Sequence, residues 1–138
     1  MNEASKWIDL DLLEGAVKAQ LGDLPGVLAV YLHGSTARGT ARPGSDLDLA
    51  VLMRPGCRLD PNVRRAAADA LSYRLGRIVD LGELSSSNLV FAAEVLGSGK
   101  QLFVSDPDAA AARVTDLLSL YVRFNEDRKE VLDAYRAG

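Results

Sequence analysis

Several residue types that mark specialised protein classes are scarce in this sequence. Its 138 residues contain one cysteine, Cys57, and one histidine, His33, which excludes an internal disulfide and a Cys/His zinc site. Aromatic residues make up 6% of the chain, and no apolar run approaches the roughly 20 residues that span a bilayer. The first residues, MNEASKWIDL, lack the basic start and apolar run of a signal peptide, so we expect a cytoplasmic protein with no membrane partner.

Positive charge is also in deficit. The chain has 16 Lys and Arg residues against 19 Asp and Glu, and its formal net charge is -3. Proteins that bind nucleic acid usually have more basic than acidic residues, so we expect no direct nucleic-acid partner. A nucleotide remains possible as a small ligand. The hydrophobic fraction of 48% and the charged fraction of 25% are typical of a globular protein, and the length predicts a single domain over residues 1–138.

Hydrophobic spacing and turn residues predict an alternation of helices and strands. The predicted helices cover residues 4–21, 61–75, 85–99 and 107–137, and the predicted strands cover residues 27–32, 46–53 and 77–84. Residues 100–106 predict a brief strand or an extended turn. Residues 34–45 predict a loop whose first residues are able to start a short helix, and serines are the expected caps of the helix over 85–99. This order predicts an α/β domain with a small sheet.

The most informative motif is Gly34-Ser35, separated by ten residues from Asp46-x-Asp48. Because side chains two positions apart in a strand point to the same face, Asp46 and Asp48 present two carboxylates side by side. Such carboxylates repel each other unless a cation lies between them, and hard oxygen ligands suit Mg²⁺. The alternative is a solvated strand end, where aspartate is a turn residue.

The Gly34-Ser35 step predicts an anion site. Glycine lets a backbone approach a ligand closely, and a strand that turns into a helix directs free N–H groups at an anion. The Ser35 hydroxyl adds a donor, so a triphosphate held there would lie beside a metal held by the aspartates. The alternative is a plain strand-to-helix turn in which Ser35 caps the helix.

Further side chains extend this candidate site. Asp80 lies within the apolar run IVDLGEL, where a charge is costly unless paired or metal-bound, so we expect a third carboxylate in a two-metal transfer site. The alternative places Asp80 at a strand edge or in a turn. Arg38 and Lys100 are candidate phosphate contacts, and Ser45 either orients the loop or touches phosphate. His33, at the end of a buried strand, is interpreted as a core group and not as a catalyst.

The segments HGSTARGTARPGSDLDLAVLM and VDLGEL resemble the minimal nucleotidyltransferases of the DNA-polymerase-β-like superfamily. In that family a Gly-Ser pair precedes a spaced Asp-x-Asp, and a third Asp follows on a further strand. The matching positions here are Gly34, Ser35, Asp46, Asp48 and Asp80. The tail, with VLGSGKQLFVSDPD and LYVRF, resembles the MntA-type antitoxins. The resemblance implies a palm-like nucleotidyltransferase fold, in which a small mixed β-sheet is flanked by helices and a long helix ends the chain.

Antitoxins of that type are encoded beside a HEPN-domain RNase toxin, HepT, and they transfer AMP from ATP to a tyrosine of the toxin. The resemblance therefore implies a Mg²⁺-dependent protein adenylyltransferase with ATP as substrate and two metal ions held by Asp46, Asp48 and Asp80. It also implies that Ser35 contacts the triphosphate and that Asp80 is the base toward the tyrosine hydroxyl. A small-molecule nucleotidyltransferase of the aminoglycoside type stays open, because a His-Gly-Ser step also occurs there. An antitoxin that acts by binding alone stays open as well.

The last predicted helix carries an apolar stripe along its whole length. Val114 to Phe124 are expected to pack on the sheet. Beyond Phe124 the sequence becomes much more charged, and its few apolar residues are poor core material. We expect Val131, Leu132 and Tyr135 to contact a toxin or a second copy of this chain instead.

Overall fold

The computed structural model describes residues 8–42 and 44–137. Its helices are α1 (Leu10–Leu21), α2 (Gly34–Arg38), α3 (Pro61–Leu75), α4 (Leu89–Ser98) and α5 (Pro107–Ala137). Its strands are β1 (Val27–His33), β2 (Leu47–Met53), β3 (Val79–Leu84) and β4 (Lys100–Val104). Each predicted helix and strand has a counterpart, and α2 is the short helix at the start of the predicted loop. Residues 4–7 of the first predicted helix lie outside the described residues.

The strands form one mixed sheet in the order β3-β2-β1-β4. The central strand β1 is antiparallel to both β2 and β4, whereas β2 and β3 are parallel. A parallel pair needs a crossover between its strands, and α3 supplies it. The small mixed sheet that the resemblance implies is therefore confirmed.

Helices cover both faces of the sheet, which explains why its strands are apolar almost without alternation. Leu47, Leu49 and Val51 of β2 join one core with α1 and α3. Ala50 and Leu52, at the intervening positions, join a second core with α4 and the first half of α5. Asp48 shares the face of Ala50 and Leu52 by this alternation, and it lies at the end of β2 where neither core closes over it.

The helix starts explain where these elements begin. Asp9 and Asp60 accept backbone hydrogen bonds at the starts of α1 and α3, as acidic N-caps do. The expectation of serine caps for α4 is wrong, because Asn88 accepts the bond from the backbone N–H of Phe91. Residues 85–87 instead form a turn before the helix. This difference shortens α4, which begins at Leu89.

Helix α5 extends well beyond the residues through which it packs on the second core. Its buried residues are Ala110 and Leu117, which belong to the second core. Phe124 is 41% exposed and lies under the guanidinium of Arg128, so the expected packing on the sheet stops before Phe124. Residues 126–137 are all exposed. Within the described ranges no helix combines the length and the apolar character needed to cross a bilayer.

Candidate active site

Three titratable side chains lie in one row across the sheet. His33 ends β1 and pairs with Asp48 of β2, and Asp48 pairs with Asp80 of β3. Directly paired residues project their side chains to the same face of a sheet, so the row faces the α4 side. The imidazole of His33 packs edge-on against Phe91 of α4, with ring centroids 5.3 Å apart. The register therefore brings together residues that are far apart in the sequence.

The two carboxylates of the Asp-x-Asp motif flank a buried leucine. Leu47 is fully buried in the first core, and Asp46 and Asp48 on either side of it are turned away from that core. Strand β2 begins at Leu47, so Asp46 directly precedes the strand that it was expected to open. Asp46 is exposed and Asp48 is half-buried. The predicted arrangement of two neighbouring carboxylates fits this geometry.

Asp80 lies beside Asp48, where a third carboxylate was expected, but it is on an edge strand, as the alternative interpretation had placed it. It was expected to be buried, and this part of the prediction is wrong, because Asp80 is exposed on β3 at the edge of the sheet. An exposed carboxylate pays little desolvation cost, so burial gives no argument for a metal. The argument comes from the register, which sets Asp80 directly beside Asp48.

Gly34 is held in a backbone conformation and a space that only glycine fits. Its φ is +76°, in the left-handed region, and a Cβ added there would lie 2.2 Å from Oδ2 of Asp48. The motif therefore needs glycine so that the Asp48 carboxylate can approach the backbone. The sequence indicated a close approach at Gly34 but attributed it to a ligand.

Helix α2 begins at this glycine with unused hydrogen-bond donors. His33 occupies its N-cap position, and its side chain makes no capping hydrogen bond to the first turn. The carbonyl of Ser35 accepts from the backbone N–H of Thr40 at 2.9 Å. The buried Thr36 hydroxyl has no hydrogen-bond partner among the described residues. The turn thus offers backbone donors beside the carboxylates, which fits the expectation of an anion at Gly34 and Ser35.

Negative charge is concentrated at Asp48. Burial raises the pKa of its carboxyl, and the nearby charges of Asp80 and Asp46 raise it further. His33 and Arg38 act in the opposite direction and lower this pKa. Arg38, in the last turn of α2, is therefore near enough to influence the Asp48 carboxyl, and its role as a phosphate contact stays a prediction. Lys100 pairs with Leu32, whose side chain is in the first core, so the register sets Lys100 on the opposite face from Asp48.

Arg77 is the side chain that sequence reasoning missed. Its Nε donates to the carbonyl of Ser45 at 2.8 Å, and one terminal nitrogen of the guanidinium donates to the same carbonyl. Burial lowers the pKa of Arg77, and the charge of Asp46 opposes this shift. The Ser45 hydroxyl accepts from the backbone N–H of Arg42 at 2.8 Å, which supports the loop-orienting alternative for Ser45. Arg77 thus ties the segment before Asp46 to β3, and its position two residues before that strand was the one available signal.

The donor set fits a hard divalent cation. The site offers carboxylate oxygens crowded by like charge, and a Mg²⁺ ion would relieve that repulsion. In residues 8–42 and 44–137 no three His, Cys, Asp or Glu side chains converge closely enough to hold a metal by themselves. Two carboxylates with phosphate and water oxygens are a usual Mg²⁺ shell, so Asp80 as a third ligand stays a prediction.

Comparison with known proteins places this geometry in a family. Residues 16–108 match the family described as Polymerase beta, Nucleotidyltransferase, and this stretch contains the whole row of carboxylates and the Gly34-Ser35 turn. The chain belongs to the polymerase beta nucleotidyltransferase family. Its members are enzymes that act on a nucleotide substrate, in agreement with the anion-binding turn beside the carboxylates.

Two relatives extend the family likeness to different degrees. The chain is 32% identical over 122 residues to the protein adenylyltransferase MntA of Shewanella oneidensis, and the match covers 88% of this chain and 86% of that protein. It is 33% identical over 113 residues to the bifunctional uridylyltransferase/uridylyl-removing enzyme of Burkholderia orbicola, covering 80% of this chain but 12% of that enzyme. The likeness to MntA therefore extends over almost the full length of both proteins.

Solved structures of toxin–antitoxin complexes share the fold of this family member. One is a toxin–antitoxin complex with AMP-PNP, with a TM-score of 0.73, 27% identity, and coverage of 94% of this chain and 99% of the matched chain. Another is the tri-AMPylated Shewanella oneidensis HEPN toxin in complex with its MNT antitoxin, with a TM-score of 0.69, 28% identity, and coverage of 92% and 98%. The long final helix lies within this similarity.

Proposed function

We propose that this nucleotidyltransferase is an antitoxin that acts as a Mg²⁺-dependent protein adenylyltransferase. Its acceptor is a tyrosine of a cognate HEPN-family RNase toxin, and its donor is ATP. The observation that carries the proposal is the row of Asp48 and Asp80 beside the Gly34-Ser35 turn, in a chain that matches MntA over 88% of its length. The related toxin–antitoxin structures with AMP-PNP and with a tri-AMPylated toxin support it.

In this proposal each part of the site has one task. The Gly34-Ser35 turn and Arg38 bind the triphosphate, while Asp46 and Asp48 hold the cation. A Mg²⁺ ion held by Asp46 and Asp48 would supply positive charge to the phosphate oxygens and to the leaving group. Asp80 accepts the proton of the tyrosine hydroxyl while the tyrosine oxygen forms a bond to the α-phosphorus of ATP. The bond from that phosphorus to the bridging oxygen breaks, and pyrophosphate leaves.

Intact-mass spectrometry of the toxin tests the proposal. The toxin should gain whole AMP units when incubated with ATP, Mg²⁺ and the wild-type chain, and its RNase activity should fall in parallel. Asp48→Asn should abolish the mass gain, and Asp69→Asn, which alters an exposed carboxylate on α3, is the matched control. Neutralisation without any mass gain would instead support an antitoxin that acts by binding alone.

The role of Asp80 has its own test. Asp80→Asn should retain ATP binding but lose transfer by about 10²–10⁴-fold, because an amide cannot accept the hydroxyl proton. ATP affinity measured by calorimetry and transfer measured by mass spectrometry separate the two effects. Loss of ATP binding in this variant would contradict the base assignment and make Asp80 mainly a metal ligand.

A further inference from the structure

Positive charge collects at the end of the sheet opposite to the carboxylates. Strands β2 and β3 run parallel from Asp48 and Asp80, and Met53 ends β2 about 17 Å further on, at about 3.3 Å per residue. The segments after these two strands enclose a cavity of 210 Å³ together with α5. Its lining includes Cys57, Arg58, Ser85, Ser86, Ser87 and Arg113, and we call it the Arg58–Arg113 cavity.

Arg113 lines this cavity, and its guanidinium has one unsatisfied donor. Its Nε is buried and has no hydrogen-bond partner in the described part of the chain. The ion pair formed nearby joins Arg54 to Asp106 at 3.5 Å and includes neither lining arginine. A buried donor without an acceptor is costly, and guanidinium groups favour oxyanions that accept two parallel hydrogen bonds. The guanidinium of Arg113 is therefore not fully satisfied by protein acceptors within the described residues.

The serine turn adds neutral donors to the lining of the cavity. The hydroxyls of Ser85 and Ser87 lie 2.7 Å apart, and either can donate to the other. The turn leads into the N-terminus of α4, where the helix dipole favours negative charge. The nearest carboxylate on β3, that of Glu83, accepts from the backbone N–H of Leu59 at 2.9 Å and does not line the cavity. Cationic and hydroxyl donors thus face one space that carries no lining carboxylate.

We propose that the Arg58–Arg113 cavity binds a phosphate group, either as free phosphate or as the phosphate of a nucleotide. The two guanidinium groups supply charge, and the serine hydroxyls supply the remaining hydrogen bonds. The site is separate from the catalytic carboxylates and does not depend on the proposed transfer reaction.

Nitrogen-15 NMR of the wild-type protein tests this site directly. Titration with sodium phosphate, against sodium chloride at matched ionic strength, should shift the Arg113 Nε–H and the amides of Ser86 and Ser87 saturably. Arg113→Met should abolish the shifts of the serine amides, and Arg123→Met removes an exposed charge from the same helix as the matched control. AMP in place of phosphate distinguishes the sources: tighter binding points to a nucleotide, and equal binding points to the phosphate group alone.

Cys57 gives a second measurement that needs no substitution. It is exposed, it is the single cysteine of the chain, and it lines the cavity, so alkylation reports on this site alone. Phosphate should slow alkylation by neutral iodoacetamide several-fold relative to chloride. An unchanged alkylation rate, no saturable NMR shift, or shifts that persist in Arg113→Met would each overturn the proposal.

Discussion

Two residues outside β2, Gly34 and Arg77, fix the positions of Asp46 and Asp48 at the start of this strand. The Asp48 carboxylate occupies the space that a Cβ on residue 34 would fill, so this position has to be glycine. Arg77 donates a hydrogen bond to the carbonyl of Ser45, just before Asp46. The first contact makes room for the Asp48 carboxylate and the second holds the backbone before Asp46, but neither Gly34 nor Arg77 is itself a metal ligand. The spacing of the two aspartates is therefore supported by residues whose own chemistry is not catalytic.

Replacing Gly34 tests this support. Gly34→Ala should destabilise the protein more than Gly76→Ala, since both glycines have positive φ but an added Cβ meets nothing within 4 Å at Gly76. The conformational cost is about 1–2 kcal/mol at each position, and the overlap with Asp48 adds about 1–3 kcal/mol at Gly34. Chemical denaturation of both variants measures the difference. Equal losses of unfolding free energy would show that the Asp48 carboxylate moves aside without cost.

Asp48 should make stability depend on pH in a characteristic direction. Its pKa is raised in the folded protein, so the folded state holds this proton more tightly than the unfolded chain does. Stability from this group is present below the ordinary value of 3.8 and is lost as the pH rises through the folded pKa. In metal-free buffer Asp48→Asn should therefore melt at a higher temperature than wild type at neutral pH.

That gain should shrink as the pH falls toward 3.8, where wild-type Asp48 is becoming protonated in both states. Thermal melts across this range, with Asp69→Asn as control, provide the measurement. A lower melting temperature for Asp48→Asn at neutral pH would mean that the carboxylate stabilises the fold.

Elements differ in how well the sequence alone predicts them. The starts of α3 and β2 follow from local signals, because Pro61 suits a first helical turn and Leu47 and Leu49 alternate with aspartates. The pairing of Asp48 with Asp80 does not, because α3 separates the two strands and no local pattern sets their register. The N-cap of α4 could not be predicted for a similar reason. Several neighbouring polar side chains can cap a helix, and the geometry of the preceding turn determines that Asn88 does so here instead of a serine.

The far end of α5 is the element whose role can be separated from the fold. Because residues 126–137 are exposed, deleting residues 126–138 should change the unfolding free energy of the isolated protein by about 1 kcal/mol or less. The same deletion should weaken binding to the toxin or to a second copy of this chain, because Val131, Leu132 and Tyr135 are expected to contact that partner.

Point variants sharpen this comparison. Leu132→Ser should weaken the complex in a pull-down or calorimetric titration, whereas Lys129→Ser, also exposed on this part of α5, should not. If these variants melted at a much lower temperature and bound the toxin unchanged, this end of α5 would be stabilising the protein's own fold and not contacting a partner.

For the molecule as a whole, charge decides when the nucleotide binds. The formal net charge is -3, and the row of carboxylates lies beside the turn that would receive a triphosphate. We expect the isolated protein to bind ATP weakly, and only with Mg²⁺ or Mn²⁺, because the carboxylates repel the triphosphate until a cation screens them. Calorimetric titration in Mg²⁺ and in excess EDTA measures this dependence, and equal ATP affinity in both buffers would contradict the site.

The position of β3 at the sheet margin also governs how the protein behaves at high concentration. Edge strands expose unpaired backbone N–H and C=O groups that can pair with another chain and start aggregation, and charged side chains on such strands commonly prevent this. Asp80 and Glu83 place such charges on β3, and Lys100 does so on β4 at the other margin. We therefore expect Asp80 to protect colloidal stability, in addition to the role proposed for it in the reaction. Asp80→Asn should scatter more light than wild type at equal protein concentration, and its activity should be assayed in the monodisperse fraction.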